Sequence, residues 1–224
     1  MNNLKTMIKL MKYGYQTKIN LLCGVGFLLF GIFTKVIGVV APGFDIIFLL
    51  MFPIFVCQIL YGLCYVKMIS ATGLKRWISV YLPDIFVDIF TIFALVLYYV
   101  LTVMRPYFPA GTQMFGAQYN GEESIGALML SAGVMACIIM CFLAGCYKYY
   151  WITTIIFIVL MAFYGFFSSY INFNYKDGIE QWQGILAAVV FYLLGVVLSG
   201  VIRRALYKKP VSDKAVGKRL GEQS

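Results

Sequence analysis

The chain has 224 residues, of which 62% are hydrophobic and 12% charged, whereas a typical soluble domain is roughly 45–50% apolar and about 25% charged. A soluble fold of this size cannot cover that much apolar surface, but a membrane-spanning helix requires about 20 apolar residues. The composition therefore excludes a soluble enzyme, a secreted disulfide scaffold and a disordered tail protein. It predicts an integral membrane protein.

The sequence contains few residues of the kinds that carry out catalysis or bind metal ions. The sequence contains no histidine, and so lacks the commonest general base and metal ligand. Its six cysteines lie in apolar runs and are interpreted as small buried residues. The P-loop, G-x-S-x-G and H-E-x-x-H motifs are missing. We therefore expect no catalytic, cofactor or metal site, although the Met- and Cys-rich run at 129–141 leaves a Cu(I) site as an alternative.

Six apolar stretches follow one another along the chain. They cover residues 19–40, 45–68, 85–104, 124–146, 151–172 and 184–202. Because they lack the alternation of strands, they predict helices. The expected fold is an all-α integral membrane domain over 19–202 with six transmembrane helices, preceded by residues 1–18 and followed by a disordered tail at 203–224.

The net charge of +9 becomes informative when the positions of the basic residues are compared with the predicted spans. With six spans, all basic residues except Lys35, Arg105 and Lys176 lie on the side of the termini. The positive-inside rule places that side in the cytoplasm. The charge thus indicates orientation and contact with anionic lipid rather than nucleic-acid binding.

Residues 1–18 have the pattern of a helix lying in the membrane plane. Leu4, Met7 and Ile8 occur at helical spacing, and the lysines that alternate with them are Lys5, Lys9 and Lys12. This pattern suits an amphipathic interfacial helix. A basic leader that merely orients the first span is the alternative.

The first cytoplasmic loop, 70–83, is the strongest local feature. Thr72 is a candidate cap, Leu74 and Trp77 share one helical face, and Pro83 ends the segment. These positions predict a short amphipathic helix. It either docks into a cytoplasmic partner or rests among the headgroups.

Polar residues inside the spans are functional candidates because they are costly in a membrane. Asp84 and Asp88 are spaced i,i+4 at the start of span three; pairing with Lys67, Lys75 or Arg76 is favoured over a proton or cation relay. Lys35 is expected to extend to the surface, with substrate contact as the alternative. Gln58, near Pro53 in span two, either lines a cavity or only packs.

Small residues repeat along three of the spans. Gly126 and Gly133 lie seven residues apart in span four, and span six carries Gly195, Ser199 and Gly200; span one carries Gly24, Gly31 and Gly38. Such stripes let helices approach closely. Packing within the bundle is favoured over contact with a second copy.

The layout resembles the small six-span permease subunits of type-2 ABC exporters. The resembling parts are the leader MNNLKTMIKLMKYGYQTKIN, the loop TGLKRWISVYLP and the short loop YKYY. The resemblance implies an interfacial helix bearing Lys5, Lys9 and Lys12. It also implies a coupling helix that inserts into a separate ATPase, formed by Thr72, Gly73, Leu74, Lys75, Arg76 and Trp77. The short outer segment 172–183 departs from the family, whose members often have a longer one.

The resemblance further implies a permease in a bacterial cytoplasmic membrane, paired with a second copy or paralogue. ATP and Mg would be bound by the partner ATPase, and the exported substrate would be a peptide, bacteriocin or lipid. Two alternatives stay open: a substrate-binding membrane subunit of a small-molecule uptake system, and a membrane scaffold without transport.

Overall fold

The computed structural model describes residues 17–37, 45–63, 81–107, 124–146, 148–174 and 178–206. Six α-helices occupy these ranges, and no strand occurs among them. The helices are α1 (Thr17–Ile37), α2 (Asp45–Leu63), α3 (Leu82–Met104), α4 (Ile125–Cys146), α5 (Tyr150–Asn174) and α6 (Gln181–Leu206). A 3-10 turn, Arg105–Tyr107, follows α3.

Five helices are long and apolar enough to cross a membrane; the sixth, α2, is apolar but shorter, with side chains described from Asp45 to Leu60. The all-helical prediction is therefore confirmed, and five helices of span length indicate a multi-pass membrane protein. Six spans and cytoplasmic termini stay predictions. The leader at 1–16, the loop at 64–80 and the tail beyond 206 lie outside the described residues.

Several helices extend beyond the predicted stretches. α3 begins at Leu82, with Pro83 in its first turn, where its missing N–H costs nothing. α6 continues through Arg203 and Arg204 to Leu206, so these arginines belong to the last helix and not to a tail that begins at 203.

The predicted tight connection between spans four and five is confirmed by the Tyr149 N–H, which donates to the Gly145 carbonyl at 3.1 Å.

Consecutive helices run in opposite directions, which places the starts of α1, α3 and α5 at one end of the bundle. We call this the inner end and the opposite one the outer end. α4 is the central helix, with most of its residues buried, whereas α5 exposes much of its apolar surface. The hydroxyls of Thr34, Ser131 and Ser199 donate to carbonyls one turn earlier in their own helices. Such bonds satisfy hydroxyls where no water is present.

The closest contact in the bundle joins α4 and α6, which run side by side in the same direction. A Cβ placed on Gly133 would lie 2.5 Å from the Ala188 Cα, and one placed on Gly184 would overlap the Gly126 carbonyl. Ser124 Oγ donates to the Ile179 carbonyl at 3.0 Å just before the two helices begin.

The predicted internal role of the glycines is thus confirmed in α4, and Gly24 and Gly31 likewise lie against α2. In α6 the contact uses Gly184, Ala188 and Gly195, while Gly200 faces open space. Gly38 lies outside the described residues.

We expect Gly184→Ala to destabilise the bundle, by about 1–3 kcal/mol if the helices shift as overpacked cores do. The matched control is Gly200→Ala on the same helix, where nothing lies within 4 Å of the added methyl group. Unfolding in mixed micelles with increasing dodecyl sulfate, followed by circular dichroism, measures both. Equal stability of the two variants would contradict the close α4–α6 contact.

Candidate functional site

A cleft separates α3 from α6. On α3, Asp84, Asp88, Ile92, Val96 and Tyr99 recur at helical spacing and form one continuous stripe. A stripe on α6 faces it, running from Ile185 through Val189 and Tyr192 toward Arg203. The two helices make few direct contacts with each other. Both stripes turn from apolar to charged as they approach the inner end.

The α3/α6 cleft has a volume of about 300 Å³ and is almost wholly apolar. Its lining residues are Ile92, Leu95, Val96, Tyr99, Met129, Ile185, Ala188, Val189 and Tyr192. Met129 of α4 is buried and forms the floor. Ile92, Val96 and Val189 are each about half exposed, so the cleft opens sideways along the bundle.

A hydrogen bond closes the outer end of the cleft. The Gln181 amide at the start of α6 donates to the Tyr99 hydroxyl of α3 at 2.6 Å. Gln181 is exposed and Tyr99 is half-buried, so this bond lies near the surface of the bundle. It joins the two helices where they would otherwise diverge.

An ion pair closes the inner end of the cleft. Asp84 in the first turn of α3 pairs with Arg203 in the last turn of α6. The Arg203 side chain is 1% exposed and the Asp84 side chain 21%, so the cation is buried and the anion reaches the surface. Asp84 also sits at a helix N-terminus and Arg203 at a helix C-terminus, where each charge is favoured by the helix dipole.

Asp88 lies one turn farther into the bundle than Asp84. Its side chain is half-buried and is within electrostatic reach of Asp84, Arg203 and Tyr192. Within the described ranges it makes no ion pair or hydrogen bond. Lys67, Lys75 and Arg76, the partners expected for Asp84 and Asp88, lie outside those ranges. Pairing with those residues stays a prediction, and in the described part of the chain Asp84 pairs with Arg203.

A second polar site lies at the outer end, between α1, α2 and α3. The Lys35 ammonium is 3.2 Å from Asp45 Oδ2, and Asp45 Oδ1 accepts a hydrogen bond from the Tyr98 hydroxyl at 3.1 Å. The same ammonium lies 4.5 Å from the centre of the Tyr98 ring. All three side chains are buried. We call them the Lys35–Asp45–Tyr98 triad.

The triad corrects the expectation that Lys35 extends to the surface. Lys35 is 2% exposed because its ammonium turns inward to a carboxylate, and an ion pair costs less inside a membrane than an isolated charge. Asp45 was missed as a site residue because it stood at the edge of a predicted span. The available signal was a pair of opposite charges at adjoining ends of consecutive spans.

Other polar groups extend this outer layer. Arg105 is buried and donates to the carbonyl of Ile37, the last residue of α1, at 3.4 Å. Tyr164 of α5 hydrogen-bonds with Ser131 and Ser168 and is within electrostatic reach of Asp45. Such bonds satisfy groups that would otherwise be costly to bury. Helices α1 to α5 thus each contribute polar side chains to one buried layer.

The structure does not bring the predicted site residues into one place. Gln58 lines a separate, smaller pocket of about 40 Å³ with Cys57, Cys146 and Tyr150. Cys137 and Cys141 interact one turn apart on α4. In the part of the chain that the structure describes, no three Cys, Asp or Glu residues converge on a metal position. Outside it lie Lys5, Lys9 and Lys12 of the predicted interfacial helix and the predicted coupling residues, Thr72, Gly73, Leu74, Lys75, Arg76 and Trp77.

Comparisons of the chain with protein-family models, with curated proteins and with solved structures give no match.

We expect Lys35→Met to destabilise the protein by about 3–5 kcal/mol, since it leaves Asp45 buried without its cation. The double variant Lys35→Met with Asp45→Asn recovers most of that loss, because no charge is then left unpaired. Lys18→Met removes an exposed lysine from the opposite end of α1 and is expected to change stability by less than about 0.5 kcal/mol. Unfolding in mixed micelles measures all three, and additive losses in the double variant would contradict the pairing.

Proposed function

We propose that this chain is the transmembrane permease subunit of an ATP-driven ABC exporter. It would form part of the translocation path and couple to a separate ATPase through the loop at 70–83. ATP and Mg bind to that ATPase, and a second permease copy or paralogue completes the assembly in a bacterial cytoplasmic membrane. The premise is the resemblance of the layout to the small six-span permeases of such exporters. One contact in the structure supports the proposed coupling.

The supporting observation is the Asp84–Arg203 ion pair. The predicted coupling residues end at Trp77, a few positions before α3 begins at Leu82, and Asp84 is in the first turn of that helix. Through Arg203, the start of α3 is fastened to the end of α6. A force applied to the 70–83 loop would therefore reach both walls of the α3/α6 cleft at their inner ends.

The lining of the cleft bears on what would be transported. Its side chains are apolar except for the hydroxyls of Tyr99 and Tyr192, and it opens toward the side of the bundle. Such a site favours an apolar or amphiphilic substrate over a small polar solute, whose hydrogen bonds it would leave unmet. This supports export of a peptide or lipid over the uptake alternative.

The proposal requires a nucleotide-binding protein with Walker motifs encoded near this gene, and the test is reconstitution of the full chain with that protein in lipid nanodiscs. We expect a stable complex whose ATP hydrolysis exceeds that of the ATPase alone. Leu74→Ala and Trp77→Ala are expected to weaken the complex, because they remove apolar contacts at its interface.

Variants of the ion pair separate coupling from binding. Asp84→Asn is expected to retain the complex but reduce the stimulation several-fold, and the exchanged pair Asp84→Arg with Arg203→Asp restores part of it. Arg204→Gln is the matched control, since Arg204 is exposed beside the buried Arg203. Absence of a complex, or full stimulation in every variant, would refute the proposal.

A further inference from the structure

We infer that the α3/α6 cleft binds the alkyl chain of a cationic amphiphile, whose ammonium group pairs with Asp88 at the inner end. This inference rests on the proposed function in one respect, namely that the bound amphiphile is the exported substrate. Binding itself requires no ATPase. The cleft and the carboxylate at its inner end provide the two parts of the site.

The apolar part of the cleft accepts an alkyl chain but does not select one. In a bilayer, lipid tails are as apolar as the cleft wall, so moving a chain from lipid into the cleft gains little from the hydrophobic effect. What distinguishes one amphiphile from another must therefore be the polar group at the end of the chain. That group meets the protein where the two stripes become charged.

The charge at the inner end favours a cation. Asp84, Asp88 and Arg203 lie within mutual electrostatic reach, and Arg203 is already paired with Asp84. Of the charges that the described residues place at this end, one negative charge is left without an ion pair, on Asp88. A carboxylate at membrane depth is costly unless a cation or hydrogen-bond donor accompanies it.

The geometry places both parts on one path. Asp88 lies one turn from Ile92 on the stripe that lines the cleft, and it is electrostatically close to Tyr192 on the opposite wall. From Asp88 to Tyr99 the α3 stripe extends over about 16 Å, at 1.5 Å per residue. A primary ammonium beside Asp88 can donate to the carboxylate while its chain extends into the cleft toward Tyr99.

Photo-crosslinking of the full chain in phosphatidylcholine nanodiscs tests the inference without any partner. The probe is dodecylamine with a diazirine in its chain, and mass spectrometry maps the labelled residues. We expect labels on the α3 and α6 residues that line the cleft. Unlabelled dodecylamine should compete for these positions, whereas dodecyl sulfate, with a similar chain and the opposite charge, should not.

Two pairs of variants test the two parts of the site. Asp88→Asn is expected to lower labelling of the cleft about tenfold, the effect of losing one charge-assisted hydrogen bond, while Glu180→Gln, at the exposed outer rim, leaves it unchanged. Val189→Trp fills the cleft and should abolish labelling. Val190→Trp is its matched control, because Val190 is 55% exposed against 50% for Val189 but does not line the cleft.

Labels spread evenly over lipid-facing residues such as those of α5, or equal competition by both detergents, would overturn the inference. So would undiminished labelling in Asp88→Asn. None of these outcomes depends on an ATPase. A cleft that fails to bind the amine is therefore distinguishable from a chain that fails to couple to ATP hydrolysis.

Discussion

The backbone contact between α4 and α6 is the constraint on which the candidate site depends. In a membrane, helices gain little from the hydrophobic effect and associate through close van der Waals packing. Gly126, Gly133 and Gly184 remove the side chains that would hold these two helices apart. Helix α3 has no glycine and carries large apolar side chains, so it stands farther from α6. The α3/α6 cleft is the space that this difference leaves.

Paired charges then determine how α3 is held. At the outer end, the Lys35–Asp45–Tyr98 triad ties α3 to α1 and α2. At the inner end, the ion pair of Asp84 with Arg203 ties it to α6. A lone charge inside a membrane is expensive. Breaking either set of contacts would leave charges unpaired, so both are costly to break. Helix α3 is therefore attached to α1 and α2 at its outer end and to α6 at its inner end. A movement of α6 relative to α1 and α2 would change the width of the cleft.

The sequence allowed the helices to be predicted well, because apolar stretches of span length have few alternatives. It also indicated the close packing of α4 from the spacing of Gly126 and Gly133. The pairing of Arg203 with Asp84 could not be predicted from the sequence. Asp84 lies far away in the chain, and only the packing of α3 near α6 brings the two together. Lys35 was misjudged for a related reason: a surface position explains a lysine near a span end unless a buried carboxylate is known to lie beside it. The cleft could not be predicted either, because it results from differences in the distances between helices, and no local sequence pattern encodes those distances.

The proposed function requires the outer ends of α3 and α6 to separate during each cycle of ATP hydrolysis, and a crosslink across that end of the cleft is a direct test of this movement. In a variant whose native cysteines are replaced by serine, Tyr99→Cys and Gln181→Cys place thiols where the outer hydrogen bond now joins the helices. A short bis-methanethiosulfonate reagent would hold them together in the complex with an ATPase that the proposed function requires. We expect ATP hydrolysis to fall to the rate of the ATPase alone and to recover when the link is reduced. Hydrolysis that continues at the stimulated rate in the crosslinked complex would contradict it.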